Sequence, residues 1–465
     1  LSTFVYGDQL TGPNSNQPVV ISFPYNAGSN AAPSNTGYTT PNPPAITTPA
    51  SAVGTVWGMG LAPGTNSSLY AAAYFKKHSG FGPNGPGAIY RINPTTGAAS
   101  LFVNLTSIFP SVGGGNQHNT ADYDRDNGNT GWDAVGKTAF GGLAVSPDGS
   151  TVYVMSLADR TLYAIPTSGP LNSTTIRSQQ IRLDSPGATG TNGADLRPFA
   201  VTYHNGRIYV GVVNSAESTR TGANPLGTPA SLRAYVYEVT DTGTALTFGA
   251  SPVFQITDFT YPRGAVQTFT GTTSANWQVW SPVYRLAPGT TESQAVGSLP
   301  QPILSGLAFD ADGNMTIALM DRSGDQFGFF TLDNPSSSTR FQGVSGGDTL
   351  FAARQAGGGW TLEANGSATG VSGTRTGTGV GNNQGPRSGS TGGEYYGVDF
   401  NQGSQPFHQE ITTGAVLQLP GFPDVIVSAF DPGVDVRAGG IVWFNTLNGQ
   451  KTKGYQTFLS PGSGN

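Results

Sequence analysis

The sequence contains no cysteine, which excludes disulfide bonds, thiolate metal sites, iron–sulfur clusters and covalently attached c-type haem. Charged residues make up only 11% of the 465 residues, compared with roughly 25% in ordinary globular proteins. The 22 basic side chains form no dense patch and are outnumbered by 27 acidic ones, so nucleic acid is not an expected partner. No run of about 18 apolar residues occurs, and no membrane-spanning helix is predicted.

Turn-forming and aromatic residues are abundant instead. The chain has 67 Gly and 33 Pro, which disfavour a mostly helical protein. Its 24 Phe, 18 Tyr and 6 Trp are enough to build a large core. The first residue is Leu1 and not Met, which suggests a processed chain. Together with the polar, cysteine-free composition, this predicts a secreted protein.

A three-strand pattern recurs five times along the chain. Each unit has a short apolar strand ending in a turn, a second apolar strand, and a third strand in which aromatic and aliphatic residues alternate. The first strands begin near residues 57, 142, 198, 305 and 413, and the fourth unit takes Phe327–Leu332 as its third strand. Because such meanders cannot bury their apolar faces alone, the pattern predicts radial stacking. We therefore predict an all-β protein with a single irregular β-propeller of five or six blades.

The predicted organisation has two parts. Residues 1–52 form an N-terminal strand segment and a polar linker, and residues 53–465 form the propeller with a Gly/Ser/Thr-rich insertion at 357–393. The N-terminal strand carries four apolar side chains that need burial: Val19, Val20, Ile21 and Phe23. This strand could close the chain's own last blade or pair with a second copy, and head-to-tail exchange would build filaments. The four residues are thus candidate assembly residues, with the chain itself as partner.

A dense acidic run predicts a calcium site. Asp122, Asp124, Asp126 and Asp133 occupy positions 1, 3, 5 and 12 of a loop, the spacing that converges oxygen ligands on Ca²⁺. Asn127 stands at position 6, where such loops have Gly, and position 12 is Asp where they have Glu. The alternative is a simple turn, since Asp, Asn and Gly are turn formers. Calcium is the one cofactor predicted.

Other candidate chemistry is sparse. Arg322 lies between Asp321 and Asp325, where it could bind a sugar or a carboxylate, or fix a turn through ion pairs. The four His are scattered, and no P-loop, nucleophile elbow or dinucleotide-binding turn occurs. The sequence therefore predicts no catalytic residues and no enzyme activity.

Four motifs resemble one known family. Residues 54–61, 132–137, 321–326, and 439–445 followed by 449–455 resemble the propeller-like region of large bacterial cell-surface proteins, often followed by Ig-like B-repeats of the SdrD type. The resemblance covers roughly residues 54–455 and implies a propeller at a bacterial cell surface, with little about activity. The given sequence stops at Asn465 with no Ig-like module visible, and in this respect it departs from the family pattern.

These observations together predict a secreted structural or adhesive protein of a bacterial surface. We expect it to assemble with itself through strand exchange, with surface glycans as further partners. The alternative is a secreted propeller that binds glycans, or an enzyme that acts on a polysaccharide or a lactone.

Overall fold

The computed structural model describes most of the chain. The described residues are 7–28, 44–64, 67–118, 123, 125, 129–181, 193–264, 276–288, 296–334, 336, 338–397, 400–402, 405–432 and 438–459. Their regular secondary structure is nearly all β-strand, arranged as a five-bladed propeller. The predicted fold class is confirmed.

An N-terminal hairpin precedes the blades. Strand β1 (Pro18–Ser22) pairs antiparallel with β2 (Ile46–Pro49), and a one-turn helix α1 (Ala50–Val53) follows. Pro49 stands immediately before the helix with an extended backbone, ψ 158°.

Blades one and two are regular four-stranded antiparallel meanders. Blade one comprises β3 (Val56–Ala62), β4 (Ser68–Ala73), β5 (Ala88–Ile92) and β6 (Ala99–Asn104). After a 3₁₀ turn at Leu105–Ser107 and helix α2 (Asn129–Ala134), blade two comprises β7 (Phe140–Val145), β8 (Thr151–Ser156), β9 (Thr161–Pro166) and β10 (Arg177–Gln180).

Blade three has a divided outer edge. A 3₁₀ turn at Gly193–Asp195 leads into β11 (Leu196–His204), β12 (Arg207–Asn214), β13 (Arg233–Asp241), β14 (Leu246–Phe248) and β15 (Phe254–Ile256), with 3₁₀ turns at Glu217–Thr219 and Pro229–Ser231. The long β13 pairs with β14 at one end and with β15 at the other.

In blade four, a segment of the chain leaves the blade between its second and third strands, which the sequence pattern did not predict. The segment runs through β16 (Val296–Gly297), β17 (Pro302–Phe309), β18 (Met315–Asp321), helix α3 (Ser323–Gln326), β19 (Phe329–Thr331), β20 (Phe341–Gly343), β21 (Asp348–Arg354) and β22 (Trp360–Leu362). The blade itself is β17-β18-β21-β22, while β16, β20 and β19 form a separate small sheet. The prediction of Phe327–Leu332 as the third strand is therefore wrong. Helix α3 diverts the chain after β18, and β21 takes that place instead.

Small hairpins connect blades four and five. They are β23 (Ser367–Gly370) with β24 (Gly373–Thr376), β25 (Arg387–Ser388) with β26 (Thr391–Gly392), and β27 (Phe400–Gln402) with β28 (Gln405–His408). Blade five then comprises β29 (Thr412–Gln418), β30 (Asp424–Phe430), β31 (Ala438–Asn445) and β32 (Lys451–Leu459).

The innermost strands determine where the blades meet. Strands β3, β7, β11, β17 and β29 pack in this order around the axis. Glycines allow close approach between them: a Cβ on Gly142 of β7 would lie 2.5 Å from the backbone nitrogen of Val201 in β11. Strands β29 and β3, which end and begin the ring, instead both line a cavity.

The N-terminal hairpin spans the first and last blades. Val19 and Val20 are buried among residues of blade one, including Val56 and Tyr90. Phe23 and Tyr25 pack on the outer strands of blade five. The expectation that an N-terminal strand would complete the last blade is not met among the described residues, because β29–β32 already supply four strands and β1 pairs with β2.

Candidate functional site

A cavity of about 2070 Å³ lies at the centre of the propeller and extends between blades one and five. Every innermost strand contributes to its wall: the lining includes Trp57, Leu143, Thr202, Ser305 and Val416. Residues of β1, such as Ile21 and Ser22, border it as well. The cavity therefore joins the propeller axis to the N-terminal hairpin.

An ion pair marks one end of this cavity. The ammonium nitrogen of Lys76 lies 2.6 Å from Oδ1 of Asp325, and the Tyr74 hydroxyl donates to Oδ2 of Asp325 at 2.7 Å. The Lys76 and Asp325 side chains are only 12% and 4% exposed. Both residues line the cavity, so it offers a cation and an anion side by side.

Local backbone contacts explain why these two side chains meet. Lys76 follows the end of β4, and Asp325 lies in helix α3 after β18. The backbone N–H of Lys77 donates to the carbonyl oxygen of Asp325 at 3.0 Å, which fixes the two segments together. Asp325 is one of the candidates that the sequence pattern indicates, whereas Lys76 is not. The adjacent Lys76 and Lys77 after an apolar strand, in a chain poor in charge, were the available signal.

Asp321 is a second carboxyl at this end of the cavity. It is fully buried, and its oxygens accept hydrogen bonds from the backbone N–H groups of Gln301 and Ser323 and from the Ser323 hydroxyl. Burial raises the pKa of Asp321 to about 6, against the smaller opposing effect of these hydrogen bonds. Asp321 therefore changes protonation state in a range close to neutral pH.

Arg322 has a structural position. Its side chain has no exposed surface, and its N–H groups donate to the carbonyl oxygens of Val135 and Ser281 at 2.8 and 3.1 Å. One guanidinium nitrogen also lies 3.5 Å from Oδ1 of Asp133. Of the two alternatives for Arg322, its contacts support fixing the surrounding turns and leave no free face for a sugar.

An apolar stripe runs along β3. Trp57, Met59 and Leu61 lie on β3, and all three line the cavity. The Trp57 ring lies between Tyr74 and Phe199, at centroid distances of 5.8 and 6.0 Å.

The opposite end of the cavity is aromatic and electrically neutral. The His204 ring stacks on Phe309 at 4.3 Å, and Asp310 binds Arg375 at 2.6 Å. Burial, assisted by the charge of Arg354, lowers the pKa of His204. The imidazole is therefore uncharged at neutral pH.

The N-terminal hairpin side adds further rings. Phe23 stacks on Tyr455 at 4.6 Å, and Tyr25 lies 4.0 Å from the exposed Phe422. The ammonium group of Lys453 donates to the carbonyl oxygen of Tyr25 at 2.7 Å, which secures the hairpin on blade five.

Most of the predicted calcium site lies outside the described residues. This holds for Asp122, Asp124 and Asp126. Asp133 is described, and its Oδ1 binds Lys137 at 2.7 Å in addition to contacting Arg322. In the part of the chain that the structure covers, no three acidic or His side chains are placed to share a cation. The calcium site stays a prediction.

The candidate assembly residues pack within the chain itself. Val19, Val20 and Ile21 are 0%, 5% and 5% exposed, and Phe23 is half-buried against Tyr455.

The described ranges also contain no helix long and apolar enough to cross a bilayer.

Sequence comparison finds relatives in Dictyostelium discoideum. Colossin-A is 26% identical over 466 residues, covering 97% of this chain, and Colossin-D is 27% identical over 462 residues, covering 96%. The chain spans only between 4% and 42% of the length of the curated relatives it matches. No protein-family model matches the chain.

The similar solved structures include enzymes with low overall agreement. A periplasmic gluconolactonase of Pseudomonas aeruginosa, PpgL, has a TM-score of 0.35 and 10% identity, over 88% of this chain and 71% of that chain. A GH74 enzyme of Niastella koreensis has a TM-score of 0.31 and 17% identity, over 87% of this chain and 38% of that chain. Values this low transfer neither a site nor an activity.

The predicted function as a self-assembling protein of a bacterial surface is wrong, because the sequence relatives belong to a eukaryote. The hairpin that was to be exchanged is also buried against its own blades. No comparison bears on the resemblance to bacterial cell-surface propellers, which stays a prediction.

Proposed function

We propose that this protein binds a glycan in the central cavity of its propeller, without chemical turnover. The observation that carries the proposal is the combination, in one cavity of about 2070 Å³, of the Trp57 stripe with the Lys76–Asp325 pair. A concave, largely apolar site with a few convergent polar groups is the usual form of a ligand pocket.

A sugar ligand needs both an aromatic surface and hydrogen-bonding groups. Its C–H faces pack on aromatic rings, and Trp57 supplies a ring. Its hydroxyl groups donate and accept hydrogen bonds, and Lys76 and Asp325 supply a donor and an acceptor at adjacent positions. Bonds to charged partners are the stronger ones, so this pair would fix the orientation of the ligand.

The balance of charge favours a neutral glycan over an acidic one. Lys76 is paired with Asp325, and Asp310 is paired with Arg375. His204 adds no positive charge at neutral pH, because its pKa is lowered by burial. The described wall therefore presents no uncompensated cation to attract a carboxylate or a phosphate.

Calorimetric titration against a panel of neutral and acidic oligosaccharides tests the proposal. We expect saturable binding of a neutral member and no new reducing ends. Trp57→Ala, Lys76→Met and Asp325→Asn should each weaken binding about tenfold or more, since 1.4 kcal/mol of lost contact corresponds to that factor. Trp57→Phe should retain part of the affinity and serves as the milder variant.

The matched control is Arg207→Gln, which breaks the exposed pair with Glu238 outside the cavity and should leave binding unchanged. Failure of the whole panel to bind would overturn the proposal. If the protein instead releases sugar products, and Asp325→Asn stops this release, the proposal would be replaced by an enzyme that acts on a polysaccharide.

A further inference from the structure

The cavity is long as well as large. Strand β17 begins at Pro302, which pairs with Asp321 at the polar end, and finishes at Phe309 at the neutral aromatic end. Seven steps of roughly 3.3 Å place these ends about 23 Å apart. The volume of about 2070 Å³ is also twice the upper range, about 1,000 Å³, of sites for single small molecules.

Exposed apolar side chains border the same cavity. Leu61, Leu417 and Phe422 are 55%, 51% and 45% exposed, and all three contribute to the lining. Leu61 ends the Trp57 stripe on β3, whereas Leu417 and Phe422 belong to blade five. Large exposed apolar side chains gathered at one opening indicate a contact surface.

The exposed Phe422 ring is held in place by its neighbours and forms a stacking surface, here called the platform. Its ring lies 4.0 Å from that of Tyr25, and Tyr25 is in turn fixed by Lys453 and by an edge contact with Trp443 at 6.3 Å. A ring supported from behind and exposed in front loses little conformational freedom when a ligand stacks on it.

From these observations we infer that the ligand is an extended neutral glycan of several units. It contacts the Lys76–Asp325 pair at one end and stacks on Phe422 near the N-terminal hairpin. This inference rests on the proposed function and specifies the class of ligand. Gly414 and Val416 of β29 lie beside Ser305 and Gly306 of β17, so the two strands run in the same direction. Phe422 follows the end of β29, away from the Pro302 end where β17 pairs with Asp321. A single sugar would therefore reach only one of these two places.

The test is the dependence of affinity on chain length. The probes are linear malto-, cello- and chito-oligosaccharides of two to six units, titrated against the intact chain and two variants. Phe422→Ala removes the platform. Phe330→Ala is the matched control, since Phe330 is 53% exposed and is not part of the cavity lining.

For the series that binds, we expect affinity to rise about tenfold or more from two to six units. Phe422→Ala should remove most of this gain and leave the affinity for the disaccharide unchanged, while Phe330→Ala should behave as the intact chain does. Equal affinity for all lengths, or equal loss at all lengths in Phe422→Ala, would overturn the extended ligand while leaving glycan binding intact. Absence of binding by every series and length would overturn both.

Discussion

The guanidinium carbon of Arg322 lies 4.3 Å from the centre of the Trp280 ring, and both side chains are fully buried. The same Arg322 donates hydrogen bonds to the carbonyl oxygens of Val135 and Ser281 and to Oε1 of Gln301. One cation thus joins three stretches of chain that are distant in sequence, directly behind the polar end of the cavity.

Arg322→Met should therefore be strongly destabilising. The substitution leaves several buried carbonyl oxygens without donors, and we expect a loss of about 3–5 kcal/mol in the free energy of unfolding. Chemical denaturation measures it. Arg207→Met, in an exposed pair with Glu238, should cost less than about 1 kcal/mol. Equal losses in the two variants would contradict the structural role of Arg322.

Close packing of the innermost strands gives a second prediction. Gly142→Ala places a Cβ 2.5 Å from the backbone nitrogen of Val201, so β7 and β11 must separate. We expect a cost of roughly 1–3 kcal/mol in the free energy of unfolding, as for other overpacked sites. Gly222→Ala is the control, because nothing lies within 4 Å of the added atom there. A Gly142→Ala variant as stable as the control would show that the blades are less tightly apposed.

The N-terminal hairpin gives a third prediction, on the stability of the protein. Val19→Ala removes two buried methyl groups and should lower the free energy of unfolding by about 2 kcal/mol. Val371→Ala, at a position 52% exposed, should have almost no effect. Because Val19 packs against blade one of the same chain, the melting temperature should not depend on protein concentration. A melting temperature that rises with concentration would instead indicate packing between copies.

The buried carboxyl of Asp321 gives a fourth prediction, on how stability depends on pH. The pKa of Asp321 is about 6 in the folded protein because burial disfavours the charged form, whereas its ordinary value is 3.8. Between these values the folded state holds a proton that the unfolded state has released, so this carboxyl lowers stability as pH rises from about 4 to 6. Asp321→Asn should be more stable than the parent at pH 8 by up to about 3 kcal/mol, and the advantage should vanish near pH 4.

Urea unfolding at pH 4, 6 and 8 measures this difference. Asp148→Asn is an opposite control: the Ser146 hydroxyl, with the Ser150 groups, lowers the pKa of Asp148 to about 2. That variant should lose stability relative to the parent only between about pH 2 and 4, the reverse sign, and its difference from the parent should stay constant from pH 4 to 8. An Asp321→Asn difference that stays constant with pH would contradict the buried carboxyl.

Local patterns were sufficient to predict the blades. The expected first-strand starts near residues 57, 142, 198, 305 and 413 compare with observed starts at Val56, Phe140, Leu196, Pro302 and Thr412. Alternating apolar residues and Asp-Gly or Asn-Gly turns specify such strands over a few residues, without reference to the rest of the chain.

The same local signal failed in blade four. Phe327–Leu332 has the apolar pattern of a strand, yet Phe327 is buried against Trp132 at 4.9 Å, in a cluster outside the blade. Which segment pairs with the edge of β18 depends on where helix α3 directs the chain. The strand propensity of a short segment does not contain that information.

The sequence by itself determined the all-β fold, the five repeated meanders and a surface poor in charge, because each follows from residue types and spacings within a few positions. Only the tertiary structure decided that Lys76 meets Asp325 across 249 residues, that Trp57 lines the central cavity, and that the N-terminal hairpin packs on its own first and last blades. Those relationships depend on how the blades close around the axis. Closure brings together side chains that no local pattern relates, and it is there that the cavity forms.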